Sequence, residues 1–290
     1  MPAEVNFSQP GQVGSLTATS QPSPSIWKDC PKGLLNDLGL GLFQDLSFAG
    51  FPTGTLAAAL DVNMVAFGQA LKVDADTDTV LADVSTARGG ALQLQTDGDD
   101  NDAVALFSQP IGPIVRNSGN KLWFETEVAH VDVSEDYGVF VGLVEEDAID
   151  GTTTTARDVL DDNVAANGLV AESVIGFIRD AGDLDAWDVV VTKDGGTAFN
   201  PLTDVTNATA IASGDRASLA DNAYYKLGIK FDGRETIEFF VNGTLVGSDD
   251  VDGTYDQAHD YCVVIGLKTG TAAAEDFIVK RVRFAYQTRA

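Results

Sequence analysis

Glu125 and Glu127 stand two residues apart in the run Lys121–Val133, with Trp123 two positions before them. In an extended chain that spacing puts both carboxylates and the indole on one face. Two carboxyl groups about 5–5.5 Å apart can act as acid and nucleophile in retaining glycoside hydrolysis, and i, i+2 neighbours on a strand approach that separation. The same spacing also describes the solvated outer face of a half-buried strand. That is the expectation adopted here: Glu125→Gln and Glu127→Gln should change little, and no catalytic residue is assigned.

The two histidines add no second constellation. His130 keeps the inward parity of Phe124 and Val128, and His259 sits in the acidic turn Asp256–Asp260. Neither has a histidine or cysteine at ligand spacing, and no Ser-His-Asp or Cys-His set can be assembled. Asp74, Asp76 and Asp78 match the first ligands of a calcium loop, but Thr79 replaces its glycine and Ser85 its final glutamate. Asp97, Asp99, Asp100 and Asp102 read as a hydrated acidic turn. No metal site and no cofactor is expected. Trp187 and Tyr255 are candidates for stacking on sugar rings. Lys280, Arg281 and Arg283 should project from the last strand, either offsetting nearby acid or meeting a neighbouring subunit.

The elements that carry these residues read as strands. In Ala223–Gly247, Tyr225, Leu227, Ile229 and Phe231 alternate with Tyr224, Lys226, Gly228 and Lys230, the period of two of a strand with one buried face. Asp232-Gly233 reverses the chain, the return strand turns Ile237, Phe239 and Val241 inward, and Asn242-Gly243 closes a second hairpin. That hairpin should set Val241 against Thr244 and Phe239 against Val246. Further alternating runs fall at 90–96, 103–108, 121–133, 137–144, 173–179, 186–192, 261–268 and 277–286. Helical periodicity is scarce; one short helix is expected after Thr155, in the long loop 147–171. About eleven strands separated by Gly, Asp and Asn turns predict an all-β antiparallel sandwich of two face-to-face sheets. Phe124, Val128, Leu227, Ile229, Phe239, Val241, Val264 and Ile265 should contribute to its core.

Composition narrows the partners. The formal charge is −26, with 18 Lys and Arg against 44 Asp and Glu. Such a chain repels phosphate backbones and anionic lipid, so neither nucleic acid nor membrane is an expected partner. No apolar run approaches the ~20 residues of a membrane span, and the first residues have no basic-then-apolar leader pattern. Cys30 and Cys262 form no disulfide framework, which suits a reducing cytoplasm.

Residues 1–55 differ from residues 56–290. Pro2, Pro10, Pro22, Pro24, Pro31 and Pro52 lie there, and Lys28 and Lys32 nearly balance Glu4, Asp29, Asp37 and Asp45. Large apolar residues are scattered without a period. This reads as an extended N-terminal arm lying across a surface, whether that of its own domain or of a partner. Its candidate anchors are Ile26, Trp27, Lys28, Pro31, Leu34, Leu35 and Phe43.

The succession LWFETEV, YGVFVGL, AYYKLGIKFDGRETIEFFVNG, VVIGLKTG and DFIVKRVRF resembles the concanavalin A-like (laminin-G-like) jelly roll. That superfamily includes lectins, glycoside hydrolases, polysaccharide lyases, adhesion modules and virion proteins, so the fold does not choose among them. The hydrolases it resembles carry a Glu-x-Asp-x-(x)-Glu pattern, whereas only Thr126 lies between Glu125 and Glu127. The segment SIWKDCPKGLL ahead of such a domain is similar to tailed-bacteriophage structural proteins, capsid decoration (cement) proteins above all. This resemblance implies a non-enzymatic protein on the outer capsid surface of a virion, made in the host cytoplasm. Its partners would be the major capsid protein and copies of itself, as a trimer. A lectin-like module binding surface glycans for host attachment is the alternative, and a polysaccharide-degrading enzyme the remaining one.

Overall fold

Asn242 and Gly243 hold φ values of 52° and 78°, the left-handed pair that a two-residue hairpin needs between strands of right-handed twist. The strands on either side pair antiparallel, beginning with Val241 opposite Thr244. The computed structural model describes residues 21–35, 39–48, 54–55, 71–75, 80–83, 90–97, 99, 102–133, 137–146, 173–179, 186–192, 199–202, 219–251, 259–270 and 273–288. The expected helix after Thr155, and Tyr255, Asp76 and Asp78, lie outside them.

In chain order the described elements are α1 (Pro24–Trp27), β1 (Gly41–Ser47), β2 (Gly54–Thr55), β3 (Leu71–Ala75), β4 (Val80–Asp83), β5 (Leu92–Gln95), β6 (Ala103–Ser108), β7 (Lys121–His130) and β8 (Tyr137–Glu145). They continue with β9 (Val174–Arg179), β10 (Asp188–Thr192), β11 (Phe199–Leu202), β12 (Tyr224–Phe231), β13 (Thr236–Val241), β14 (Thr244–Asp250), β15 (Tyr261–Thr269) and β16 (Asp276–Gln287). The first sheet runs β14-β13-β12-β7-β16-β5-β4-β2, with β1 also on β16; the second runs β11-β10-β9-β8-β15-β6-β3. All pairings are antiparallel. The chain is thus a two-sheet β-sandwich.

The core lies between the sheets. Phe124, Leu227, Ile229 and Phe239 from the first sheet meet Val141, Phe177, Val263 and Ile265 from the second in one buried cluster. Phe177 and Phe239 touch edge to face across the gap, centroids 6.0 Å apart. Val264 is also buried, but it alternates with Val263 and Ile265 and belongs to the other side of its strand. Ile229 is 1% exposed with its neighbours closely packed, so Ile229→Val should cost about 0.5–1.5 kcal/mol by chemical denaturation.

Two expectations change. Val241 does oppose Thr244, but a register shift between Phe239 and Phe240 places Phe239 against Gly247 instead of Val246. Such a bulge inserts a residue and steps the pairing along. The stretch expected as an arm also contains a strand of the sandwich. β1 pairs with β16 from Gly41 opposite Gln287 to Ser47 opposite Arg281.

β16 takes the whole of β7 on one side. On its other side it takes β5 along residues 276–279 and β1 along residues 281–287.

Candidate functional site: a strap on the outer face of the first sheet

Alternation along β7 sends Leu122, Phe124, Thr126 and Val128 toward the core and Trp123, Glu125 and Glu127 to the outer face. That face is covered. Residues 21–35, opened by a Pro-initiated helical turn at α1, lie across β12, β7 and β16 as a strap. Ile26, Trp27 and Leu35 are 1%, 4% and 2% exposed, packed in a second apolar cluster with Trp123, Phe240 and Ala285. Gly228 on β12 makes the seat for Ile26: a Cβ there would collide with Ile26 Cδ1.

Glu125 is the polar centre of this seat. Its Oε1 and Oε2 accept the Ser23 backbone N–H at 3.1 and 3.2 Å, and Oε2 also accepts the Trp27 indole N–H at 2.8 Å. Arg283 Nη1 donates to the same oxygen at 3.1 Å, and both side chains are nearly fully buried, at 4% and 3% exposure. Arg283 also reaches Asp45 on β1 at 3.1 Å, where Arg281 forms a two-pronged pair at 2.6 and 2.7 Å. Lys280 pairs with Glu127 at 2.6 Å.

The strap is held along its length. Lys226 Nζ donates to the Gln21 carbonyl and Ser25 Oγ to the Gly243 carbonyl, each at 2.5 Å. Asp29 accepts from the Trp123 indole at 3.2 Å and pairs with Lys230 at 3.2 Å. Burial would push the Asp29 carboxyl up, but these two hydrogen bonds and the charges of Lys230 and Lys121 hold it below the ordinary carboxylate range. At Asp45, likewise, Arg281 and Arg283 outweigh burial and lower the carboxyl. Trp27 meets Phe43 edge-on at 6.0 Å and carries the Lys32 ammonium over its ring at 5.0 Å. Burial also lifts the nearby Cys30 thiol to about 11 and keeps it unreactive at neutral pH.

The geometry corrects several sequence expectations. Glu125 and Glu127 are not a solvated pair; they are buried and committed to ion pairs. Trp187 is fully buried in the inter-sheet core, 5.1 Å from the His130 ring, and has no face for a sugar. Of the two roles expected for Lys280, Arg281 and Arg283, the structure shows the first: they offset Glu127, Asp45 and Glu125 within their own sheet. Of the expected arm anchors, Ile26, Trp27 and Leu35 are occupied by the chain's own domain, Phe43 and Pro31 are half-buried, and Lys28 and Leu34 are exposed, Leu34 at 61%. His259 Nδ1 pairs with the buried Glu145 carboxylate, whose Oε2 accepts the Ser173 N–H at 3.2 Å. Among the described residues no group of three or more His, Cys, Asp or Glu is arranged to hold a metal. Asp97 Oδ1 instead accepts the Asp99 N–H at 2.8 Å. Among those residues, too, no helix is long and apolar enough to cross a membrane.

His130 lies fully buried at the sandwich end. Its Nδ1 is 2.8 Å from the Tyr137 hydroxyl, which donates to the Asp132 carbonyl at 3.0 Å. With that proton committed, Nδ1–H donates to the tyrosine oxygen, and Nε2 has no hydrogen-bond partner among the described residues. The Arg179 guanidinium, also fully buried, lies 4.4 Å from the Tyr137 ring centroid. Burial first, and the Arg179 charge second, hold the imidazole well below its usual range.

No family model matches the sequence, and no curated protein matches it. Solved structures match at the level of fold. A protein of unknown function from Shewanella oneidensis MR-1 superposes with TM-score 0.52 at 10% identity, over 87% of this chain and 90% of that one. LamA from Z. galactanivorans, crystallised with laminaritriose and laminaritetraose, gives 0.52 at 9% identity over 84% and 98%. Peanut lectin gives 0.50 at 11% identity over 85% and 99%. The architecture is the concanavalin A-like jelly roll.

Proposed function

We propose that the chain is a non-enzymatic structural protein of a virion, a decoration protein that binds the outer surface of a bacteriophage capsid and braces the junctions between capsomers. The observation that carries this reading is the strap. Its inward residues are fixed to the sheet by apolar packing and by hydrogen bonds to the buried Glu125, while Leu34 stands 61% exposed on its outer side. A large apolar side chain on a stiff support is suited to anchoring in a partner's pocket. The Glu125 and Glu127 carboxylates are spent on structural ion pairs, which favours a mechanical role over hydrolysis. The acid that dominates the −26 chain would face solvent, while the strap with its lysines meets the major capsid protein. Clustering as a trimer at a local threefold would multiply a modest single-site affinity.

Because the strap is part of the folded domain, deleting residues 1–35 would strip the sheet as well as the contact. The cleaner test keeps residues 21–290. Leu34→Asp and a deletion of residues 1–20 should each leave the melting temperature within a few degrees. One or both should weaken binding to empty capsids at least tenfold in co-sedimentation. Undiminished binding by the double variant sinks the reading. The second reading, a carbohydrate-binding module, is favoured by the shared fold with peanut lectin and with LamA in its oligosaccharide complex. A glycan array on the same preparations separates the two: saturable sugar binding without capsid binding selects the lectin-like role.

A further inference from the structure

We propose that a cleft at the start of the strap binds a saccharide bearing one carboxylate, a hexuronic acid residue. The cleft opens between residues 21–25 and the Asn242-Gly243 turn and has a volume of about 500 Å³. That is the size of a small-ligand site and more than an inorganic anion fills. A Cβ at Gly243 would come within 3.0 Å of Ser23 Oγ, so the glycine lets strap and turn meet here. Ser23 is 5% exposed, and its backbone N–H is committed to Glu125. Its Oγ lines the cleft and makes no hydrogen bond among the described residues, not even as a cap for α1. A hydroxyl so deeply set calls for a partner from within the cleft. Asn242 Oδ1 accepts the Lys226 backbone N–H at 3.0 Å, which leaves Nδ2 with two donors and no partner among the described residues. Ser25 Oγ donates to the Gly243 carbonyl and keeps its lone pairs to accept. Donors and acceptors set side by side suit sugar hydroxyls, which are both. Pro22 and Pro24 add apolar surface for the C–H side of a pyranose ring. The site is built of side chains: Ile26 and Trp27 donate their backbone N–H groups to the Ser23 carbonyl, and Pro24 has none.

Charge selects the carboxylate. Lys226 is the one charged residue lining the cleft. Glu127, opposite it on β7, is paired with Lys280, and Glu125 is paired with Arg283. Both nearby carboxylates are thus balanced, and the lysine's charge is in excess. On a chain of formal charge −26, such a place suits a ligand with a single negative charge. A phosphate would call for several cations or a two-pronged arginine at the cleft, and a polyanion would be repelled by the surface around it. Leu34 does not line this cleft, so the proposal does not rest on the capsid contact.

Titration of the full chain by calorimetry and saturation-transfer NMR tests this. The probes are the methyl glycosides of glucuronic and galacturonic acid, those of glucose and galactose as neutral counterparts, and acetate as the bare carboxylate. At least one uronide should bind saturably, about tenfold or more tighter than its neutral counterpart and than acetate. Asn242→Asp keeps the hairpin, because Asp-Gly serves the same turn, but sets a negative charge against the ligand. Ser23→Ala keeps the backbone contact to Glu125 and removes the hydroxyl. One or both should weaken the uronide about tenfold, with the melting temperature within a few degrees of the parent. Absence of saturable uronide binding overturns the proposal, and so does binding undiminished in both variants. Equal or tighter binding of a neutral glycoside also overturns it, while leaving the carbohydrate-binding reading standing. Capsid co-sedimentation is unaffected by any of these results, so the two sites fail separately.

Discussion

Replacing Glu125 by alanine is expected to lower the unfolding free energy by about 3–5 kcal/mol, the cost of removing one partner from a buried, hydrogen-bonded ion pair. Three losses combine. Arg283, 3% exposed, keeps only Asp45 as a described counter-charge. The Ser23 N–H and the Trp27 indole N–H, both on buried residues, lose their acceptor. The seat for the strap then loses its polar centre, and Trp27 should leave the cluster. Glu125→Gln preserves shape and one acceptor and should cost less, about 1–3 kcal/mol. Glu127, on the outer face beside it, pairs with the more accessible Lys280 and should matter least. Urea denaturation measures the free energies, and a red shift in tryptophan emission reports the strap. A Glu125→Ala change within about 0.5 kcal/mol would show that the strap is not held through this carboxylate.

Stability is expected to fall as pH drops below about 6.5, by up to about 1.4 kcal/mol per pH unit from a single site, His130. The sign follows from the proton count. In the unfolded chain the imidazole binds a proton below its ordinary value. In the fold, burial among Trp187 and Phe277, with the Arg179 charge nearby, keeps it neutral to well below that point. The unfolded state therefore binds more protons in this window, and acid favours it. The groups facing the ring are the Tyr137 hydroxyl and the Arg179 guanidinium, and the Tyr137 phenol is itself raised by burial and stays protonated throughout. The lowered Asp29 and Asp45 carboxyls contribute only below the ordinary carboxylate range, so the interval from about 4.5 to 6.5 is free of them. His130→Phe should flatten the slope there by about one proton relative to the parent, with His259 present in both. An unchanged slope in thermal or urea melts at pH 5 and 7 would assign the effect elsewhere.

The architecture was legible wherever one face of a strand is buried against the core. Between Tyr224 and Val241 the period of two located both strands and their turns within a residue. What failed there was the register beyond Phe240, because a bulge leaves the alternation on either side intact and shows only in the pairing. β1 was hidden for a different reason. Leu42, Gln44 and Leu46 mark its inner side weakly, while Phe43 and Asp45 face the strap and Arg283, so neither side reads as plain core or plain solvent. The seat itself was not legible in any local pattern. Glu125 looks like a surface carboxylate until Trp27, 98 residues away, is placed against it. The signal that could have flagged it was the odd conjunction of a bare glycine, Gly228, among outward residues of a strand and an unperiodic Ile-Trp pair elsewhere. Trp187 was misread because position near a strand's start does not tell which way the first side chain turns.

The place of β16 in the first sheet bears on how the protein is made. It is the last of the described strands to leave the ribosome, yet it sits in the interior of its sheet, with β7 on one flank and β5 and β1 on the other. Until it emerges, the nascent chain holds two unclosed half-sheets with apolar flanks, and contacts spanning most of the sequence wait on one late insertion. Folding of the first sheet is therefore completed after translation of residue 287, in a slow, long-range step. Interrupted synthesis short of Asp276 should leave products that chaperones and proteases recognise as unfinished, whereas the finished strand closes the sheet and seats β1, and with it the strap, in the same event.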